Sequence, residues 1–142
     1  MEKIHVEGDP KLKNSSGKQY SMFIGRWQPW HSGHRWLIDQ RLKEGKNVLI
    51  CIRDVKPDEK NPFTTEQVHS NILFELLDLI SEGRVEIIKI PDIESVNFGR
   101  GVGYDVIYHE PPTDIEKISG TSIRKGEMDS NGNEVIYTTD KS

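Results

Sequence analysis

The residues best equipped for chemistry in this 142-residue sequence lie in one stretch, Gly25-Arg26-Trp27-Gln28-Pro29-Trp30-His31-Ser32-Gly33-His34. It carries an arginine and two histidines, and no carboxylate occurs from Gly25 to Trp36. Such a stretch favours an anion. His31 and His34, three positions apart, would sit on neighbouring corners of a first helical turn and donate to the same phosphate. Exposed N–H groups and the positive end of a helix dipole add to that preference. Two other readings compete. One is a pair of ordinary helix-start histidines, one capping and one buried. The other is a metal site, for which HxxH supplies no third ligand.

The elements around the stretch are those that would hold it in place. Tyr20 to Ile24 reads as a buried strand, and a helix follows from Ser32 to about Glu44, stopped by Gly45. Asn47 to Ile52 is a second strand whose continuous apolar run suits burial on both faces. After the charged loop Arg53 to Pro62, Thr64 and Gln67 form a capping box. The helix they open carries Val68, Ile72, Leu76, Leu79 and Ile80 on one stripe and ends at Gly83. Val85 to Ile90 reads as a third strand, Tyr104 to Tyr108 as a fourth and Ile115 to Ile118 as a short fifth, with a brief helix from Ser119 and a terminal strand at Val135 to Tyr137. Strands separated by helices predict an α/β, Rossmann-like parallel sheet flanked by helices, with right-handed crossovers. The histidine loop then lies at the carboxyl end of the first strand, where open sheets of this kind bind ligands. Residues 1–18 are polar and turn-rich and read as a flexible N-terminal arm, leaving 19–142 as a single domain.

Composition narrows the classes of function. The net charge of -4 argues against general nucleic-acid binding and makes the local positive loop more telling. A single cysteine, Cys51, excludes an internal disulfide and any CxxC metal site, and its apolar surroundings read as core. The apolar runs are too short to span a bilayer, and no apolar signal segment opens the chain, so the expectation is a soluble cytoplasmic protein.

Gly25-Arg26-Trp27-Gln28-Pro29-Trp30-His31-Ser32-Gly33-His34 resembles the GRFQP-x-H-x-GH signature of the HxGH (HIGH-type, cytidylyltransferase-like) nucleotidyltransferase superfamily. Ile118-Ser119-Gly120-Thr121-Ser122-Ile123-Arg124 resembles its second signature, ISGTxIR. Asn61-Pro62-Phe63-Thr64 and Pro91-Asp92-Ile93-Glu94 are similar to the archaeal-type nicotinamide-nucleotide adenylyltransferase branch. The resemblance covers roughly Tyr20 to Met128. One departure stands out: only nine residues, His109 to Lys117, separate the expected fourth strand from the second signature, where that branch has a longer segment.

The resemblance implies an enzyme that transfers a nucleoside monophosphate, AMP from ATP in the first instance, to a small phosphate-bearing acceptor. NMN, giving NAD, is the acceptor of the matched branch, and pyrophosphate leaves. An acceptor phosphate is already anionic, so no strong general base is needed; the protein must hold two repelling anions together. In this reading His31 and His34 donate to the phosphate chain, and Arg26 grips the triphosphate or the acceptor phosphate. Ser119, Thr121, Ser122 and Arg124 bind the departing pyrophosphate at a helix N-terminus. Arg124 in a first turn opposes the helix dipole unless an anion is present, which speaks against a simple cap. Phe23, Ile24, Gly25, Gln28, Gly33 and Gly120 would contact the nucleotide. Trp27, Trp30, Arg53 and Phe98 are candidates for the acceptor side. Magnesium arrives with the triphosphate, with no protein ligand implied.

Two alternatives remain at this level: a cytidylyltransferase acting on a small phospho-alcohol, and a non-catalytic nucleotide-binding module. The sequence leaves the oligomeric state open, a homo-oligomer included, and implies neither a nucleic-acid partner nor a membrane.

Overall fold

The computed structural model describes residues 17–101, 103–116 and 118. Its strands are β1 (Tyr20–Gly25), β2 (Asn47–Asp54) and β3 (Val85–Pro91), and its helices α1 (Ser32–Leu42), α2 (Thr65–Glu75), α3 (Leu77–Ser81) and α4 (Thr113–Glu116). The strands form one three-stranded parallel sheet in the order β1-β2-β3. This is the α/β, Rossmann-like arrangement expected from the alternation of strand and helix patterns.

The register explains the core. Phe23, Ile50 and Ile87 stand side by side across the sheet, and Val48 pairs with Val85. Side chains of this parity turn to the face that the helices cover. They meet Ile38 and Leu42 of α1, Val68 and Ile72 of α2, and Leu76. Ile38, Val48, Ile50 and Ile72 are fully buried. Successive strand residues alternate between faces, so Met22, Ile24 and Ile88 point the other way. There they are 58%, 36% and 36% exposed, and the expectation of a second strand covered on both faces holds only in part: Cys51 is buried, but its neighbours on that face are not.

Two glycines end helices as the sequence implied. Gly45 has φ 78, with its N–H bonded to the Leu42 carbonyl and the Lys46 N–H to that of Arg41. Gly83 repeats the pattern at φ 75 with Ile80 and Leu79. A left-handed residue there satisfies carbonyls that the helix leaves unpaired, and glycine adopts it without a Cβ penalty. The expected second helix is broken at Leu76, whose φ of -115 and ψ of 20 leave the helical region. Leu76 stays almost wholly buried, so the break keeps its side chain in the core while α3 turns away.

The chain after β3 departs from expectation. Tyr104 to Tyr108 forms no strand; it is irregular, with Tyr104, Val106 and Tyr108 exposed. Ile115 to Ile118 is not a strand either, because Thr113–Glu116 is helical. The Pro112 carbonyl accepts from the N–H groups of Ile115 and Glu116. Asp114 and Glu116 complement the dipole of that turn, and a proline just ahead of it needs no N–H partner. The expected arm at 1–16 of residues 1–18, the helix from Ser119 and the strand at Val135 to Tyr137 lie outside the described residues.

Candidate active site

The site grows out of the carboxyl end of β1. After Gly25 the chain turns through Arg26–Trp30 into α1, with a cis Gln28–Pro29 peptide. Trp27 takes a left-handed backbone, φ 53, which costs a bulky residue of order 1–3 kcal/mol and survives only where packing over-determines it. Its buried indole N–H donates to the Cys51 carbonyl of β2 at 3.1 Å, and its ring packs against Trp30 at 5.5 Å. Gly25 is required by this turn: a Cβ there would come within 2.9 Å of the Trp27 ring.

His31 and His34 cap α1 reciprocally. The Gly33 N–H donates to His31 Nδ1 at 3.1 Å, and the His31 N–H donates to His34 Nδ1 at 3.2 Å. The rings stack with centroids 3.6 Å apart and planes 20° from parallel. His34 also packs edge-on to Trp27 at 4.8 Å and against Trp30 at 5.3 Å. Gly33 lies so close that a Cβ would sit 2.9 Å from His31 Cε1 and Nδ1. The glycine of the motif is there because the stacked ring occupies the space a side chain would need.

Electrostatics follow from this enclosure. Burial lowers the His31 pKa to about 4. Burial, and then the neighbouring His31, lower that of His34 to about 3. Both imidazoles are therefore neutral near pH 7. Each Nδ1 accepts a backbone N–H, so each ring carries its single proton on Nε2. The capping reading and the phosphate-donor reading are compatible: Nδ1 closes the helix cap, and Nε2–H remains to donate to a ligand. Ser32 Oγ, between the two rings in sequence, is buried without a hydrogen-bond partner among the described residues.

Three ties stitch the surrounding loops to one another and to the sheet. The buried Gln28 carboxamide makes two hydrogen bonds with the backbone of Phe63, Nε2 to the carbonyl at 2.9 Å and Oε1 from the N–H at 3.0 Å. Thr65 Oγ1 donates to Asp54 Oδ1 at 2.6 Å, pinning the start of α2 to the end of β2. Arg53 holds the chain beyond β3, with Nε to Asp92 Oδ1 at 2.9 Å and Nη2 to the Ile93 carbonyl at 2.8 Å. The start of α2 is capped as the sequence implied, with the Thr64 and Gln67 side chains each bonded to the other's backbone N–H.

The structure thus gathers His31, His34, Gly33, Gly25, Trp27 and Trp30 into one aromatic, mostly buried cluster at the β1–α1 turn. Arg26 beside it is exposed, and its charge reaches Asp58. The Asp58 carboxyl is held below the usual carboxylate range first by the Asn61 N–H, with Arg26 a lesser cause. Phe23 is buried in the core and Ile24 lies on the uncovered sheet face. Phe98 is 59% exposed and makes no recorded ring contact among the described residues. Ser119, Gly120, Thr121, Ser122 and Arg124 lie outside the described residues.

Sequence reading passed over three participants. His109 stacks on Phe23 with centroids 6.3 Å apart. Asp92 is the partner of Arg53, and Phe63 supplies backbone to Gln28. Phe63 and Asp92 stand in the two segments already matched to the adenylyltransferase branch, and His109 left no signal.

Among the described residues no group of three or more His, Cys, Asp or Glu could hold a metal ion, and no helix is long and apolar enough to cross a membrane. A groove of about 440 Å³ lined by Lys18, Tyr20, His69, Leu73 and Glu86 lies at the amino end of the sheet, away from the histidines.

No family model matches the chain. Several curated proteins do. The chain is 32% identical over 76 residues to the nicotinamide/nicotinic acid mononucleotide adenylyltransferase of Acinetobacter baylyi, covering 52% of this chain and 40% of that protein. It is 34% identical over 76 residues to the nicotinamide-nucleotide adenylyltransferase of Thermococcus sibiricus, 51% and 40% of the two lengths. To that of Caldivirga maquilingensis it is 36% identical over 81 residues, 52% and 43% of the two lengths. Over half its length this chain is similar to nicotinamide-nucleotide adenylyltransferases. The match spans less than half the length of these curated relatives. It agrees with the branch to which the segments Asn61-Pro62-Phe63-Thr64 and Pro91-Asp92-Ile93-Glu94 point.

Proposed function

We propose that the chain is a nucleotidyltransferase that moves AMP from ATP to a small phosphate-bearing acceptor, with NMN, giving NAD, as the acceptor to test first. The observation that carries the reading is the histidine pair: two neutral imidazoles locked as Nε2–H donors at the N-terminus of α1. Its support is the similarity to proteins named for this activity.

The chemistry needs little from the protein beyond positioning and charge stabilisation. An acceptor phosphate oxygen forms a bond to the α-phosphorus. The bond from that phosphorus to the oxygen bridging the β-phosphate breaks in line, and its electron pair leaves with pyrophosphate. Two Nε2–H groups beside a helix N-terminus would donate to phosphoryl oxygens as charge develops there. With each Nδ1 engaged by a backbone N–H, these neutral rings face the anion as donors and not as bases. Arg26, exposed next to the box, would add the positive charge that the imidazoles lack. Arg124, with Ser119, Thr121 and Ser122, is assigned to pyrophosphate by the signature alone. Magnesium belongs to the substrate, carried on the triphosphate oxygens. We further assign the acceptor side to the region of Phe98 and the protein to a soluble compartment, without a nucleic-acid partner.

Pyrophosphate release measured with ATP and with CTP, over NMN, phosphopantetheine and glycerol phosphate, tests the reading. ATP-dependent turnover of NMN is the expected result. Turnover with CTP and a phospho-alcohol, or nucleotide binding with no turnover of any acceptor, overturns it. His34→Ala should lower turnover by about a hundredfold or more, the usual effect of losing one preorganised donor.

A further inference from the structure

We propose that Gln28 is a positioning residue: through its paired hydrogen bonds with the Phe63 backbone it fixes the histidine box of α1 against the N-terminus of α2. The assignment of a catalytic purpose to that box rests on the transfer reaction proposed above; the coupling between Gln28 and the box does not.

The geometry is a closed ring. Gln28 Nε2 donates to the Phe63 carbonyl at 2.9 Å, and the Phe63 N–H donates to Oε1 at 3.0 Å. An amide offers one donor and one acceptor side by side whatever the pH. Gln28 is 7% exposed, so a bond lost there is not replaced freely by water.

Each end of the ring is anchored. Phe63 packs against the core and immediately precedes Thr64, the N-cap of α2. The first residue of α2, Thr65, is pinned to Asp54 at the end of β2. On the other side, Gln28 follows Trp27, and Trp30 comes two residues later. Those two indoles are the walls against which the His34 ring rests, at 4.8 and 5.3 Å. A shift of Gln28 therefore carries both walls with it, and His34 between them. Since His34 Nδ1 receives the His31 N–H, the disturbance reaches the cap as well. Direct reading of the nucleotide by Gln28, which the signature suggests, is the competing role. Both atoms of its carboxamide already have backbone partners.

Amide hydrogen exchange and steady-state kinetics on the full chain, with Gln28→Met and Gln28→Glu, decide between them. The methionine keeps the length and removes both bonds; the glutamate, assayed at a pH where it is ionised, keeps an acceptor for the Phe63 N–H and removes the donor. Phe63 exchange quickens in Gln28→Met under any role. The His31 N–H, which does not touch Gln28, is the informative probe. Positioning predicts that its exchange quickens by about tenfold, the scale of one or two ordinary hydrogen bonds. It also predicts that kcat for pyrophosphate release falls about tenfold while KM for ATP stays within about threefold, the pattern of a loss felt in the transition state. Unchanged His31 exchange in a folded variant overturns the proposal. So does a raised KM for ATP with kcat intact, which would assign Gln28 to the nucleotide. If Gln28→Met does not fold, Gln28→Glu carries the same comparison. If the unaltered protein turns over no acceptor, the transfer reading fails and the His31 exchange alone decides the role of Gln28.

Discussion

The His31 and His34 rings lie face to face, 3.6 Å between centroids, while each Nδ1 receives a backbone N–H at the start of α1. Stacking at this distance does not tolerate two charged rings, since two imidazolium ions would repel strongly in a partly buried site.

That relationship makes stability depend on pH in a definite direction. The folded pKa values, about 4 and about 3, lie below the ordinary histidine value of 6.5 that applies to the unfolded chain. As pH falls below 6.5, the unfolded chain takes up protons that the folded chain refuses. The stabilisation is therefore complete above pH 6.5 and is lost progressively toward pH 4 for His31 and pH 3 for His34. Urea denaturation between pH 7.5 and 4.5 should show a falling midpoint, and His34→Gln should show a shallower fall.

The rate should be insensitive to pH where most histidine enzymes are not. With both rings neutral in the free protein, kcat/KM for ATP should lack an acid limb near the usual histidine pKa and stay level from about pH 8 to about pH 5.5. An acid limb centred near 6.5 would mean that the rings titrate at their ordinary value, and a fall as pH rises through 6.5 would mean that a charged imidazole, not a neutral donor, meets the phosphate.

Gly33→Ala should damage the box while leaving the fold. The added methyl would stand 2.9 Å from the His31 ring, so either the ring leaves its stack or the α1 backbone shifts. Overpacking of this kind costs about 1–3 kcal/mol. The expected outcome is a lower urea midpoint with unchanged far-UV circular dichroism, and turnover reduced at least as far as by His34→Ala.

Trp27→Phe isolates a single bond. It keeps most of the apolar ring and removes the N–H that satisfies the Cys51 carbonyl at 3.1 Å. A loss of about 1–3 kcal/mol is expected for a buried polar group left without its partner. A loss well under 1 kcal/mol would indicate that the left-handed Trp27 backbone relaxes in the variant and offsets the missing bond.

Arg53 tests a placement that sequence alone left to the acceptor. Its guanidinium is engaged with Asp92 and with the Ile93 carbonyl. The pair is partly exposed, with side chains 24% and 49% accessible, so the ion pair itself contributes about 1 kcal/mol at most. Arg53→Gln should speed tryptic cleavage after Arg100 by loosening the chain beyond β3, and should leave the KM for the acceptor unchanged. A large rise in that KM would return Arg53 to the acceptor's phosphate.

The parts of this fold legible in the sequence are those with local causes. The capping box at Thr64 and Gln67, the glycine stops at Gly45 and Gly83 and the apolar run of β2 are written in neighbouring residues, and each appears where expected. Tyr104 to Tyr108 has strand-like alternation, but pairing with a neighbour is a long-range property that alternation does not supply. At Ile115 the apolar content suggested extension, and the proline-capped turn with its acidic residues prevailed. Within the candidate site, residue types marked His31, His34 and Gly33 correctly as one unit. They did not show that the tryptophans form its walls rather than an exposed platform. Nor did they show that Gln28 and Arg53 are already engaged with backbone and Asp92, because those partners lie 35 and 39 residues away in sequence.

The locked tautomers also limit what else could happen at this turn. Near neutral pH neither ring is poised to pick up a proton: each Nδ1 is occupied by a main-chain amide, and Nε2 is already protonated. If the proposed transfer is right, neither imidazole would serve as a base toward a water molecule at this turn. The proposed transfer would then depend on an acceptor that brings its own negative charge.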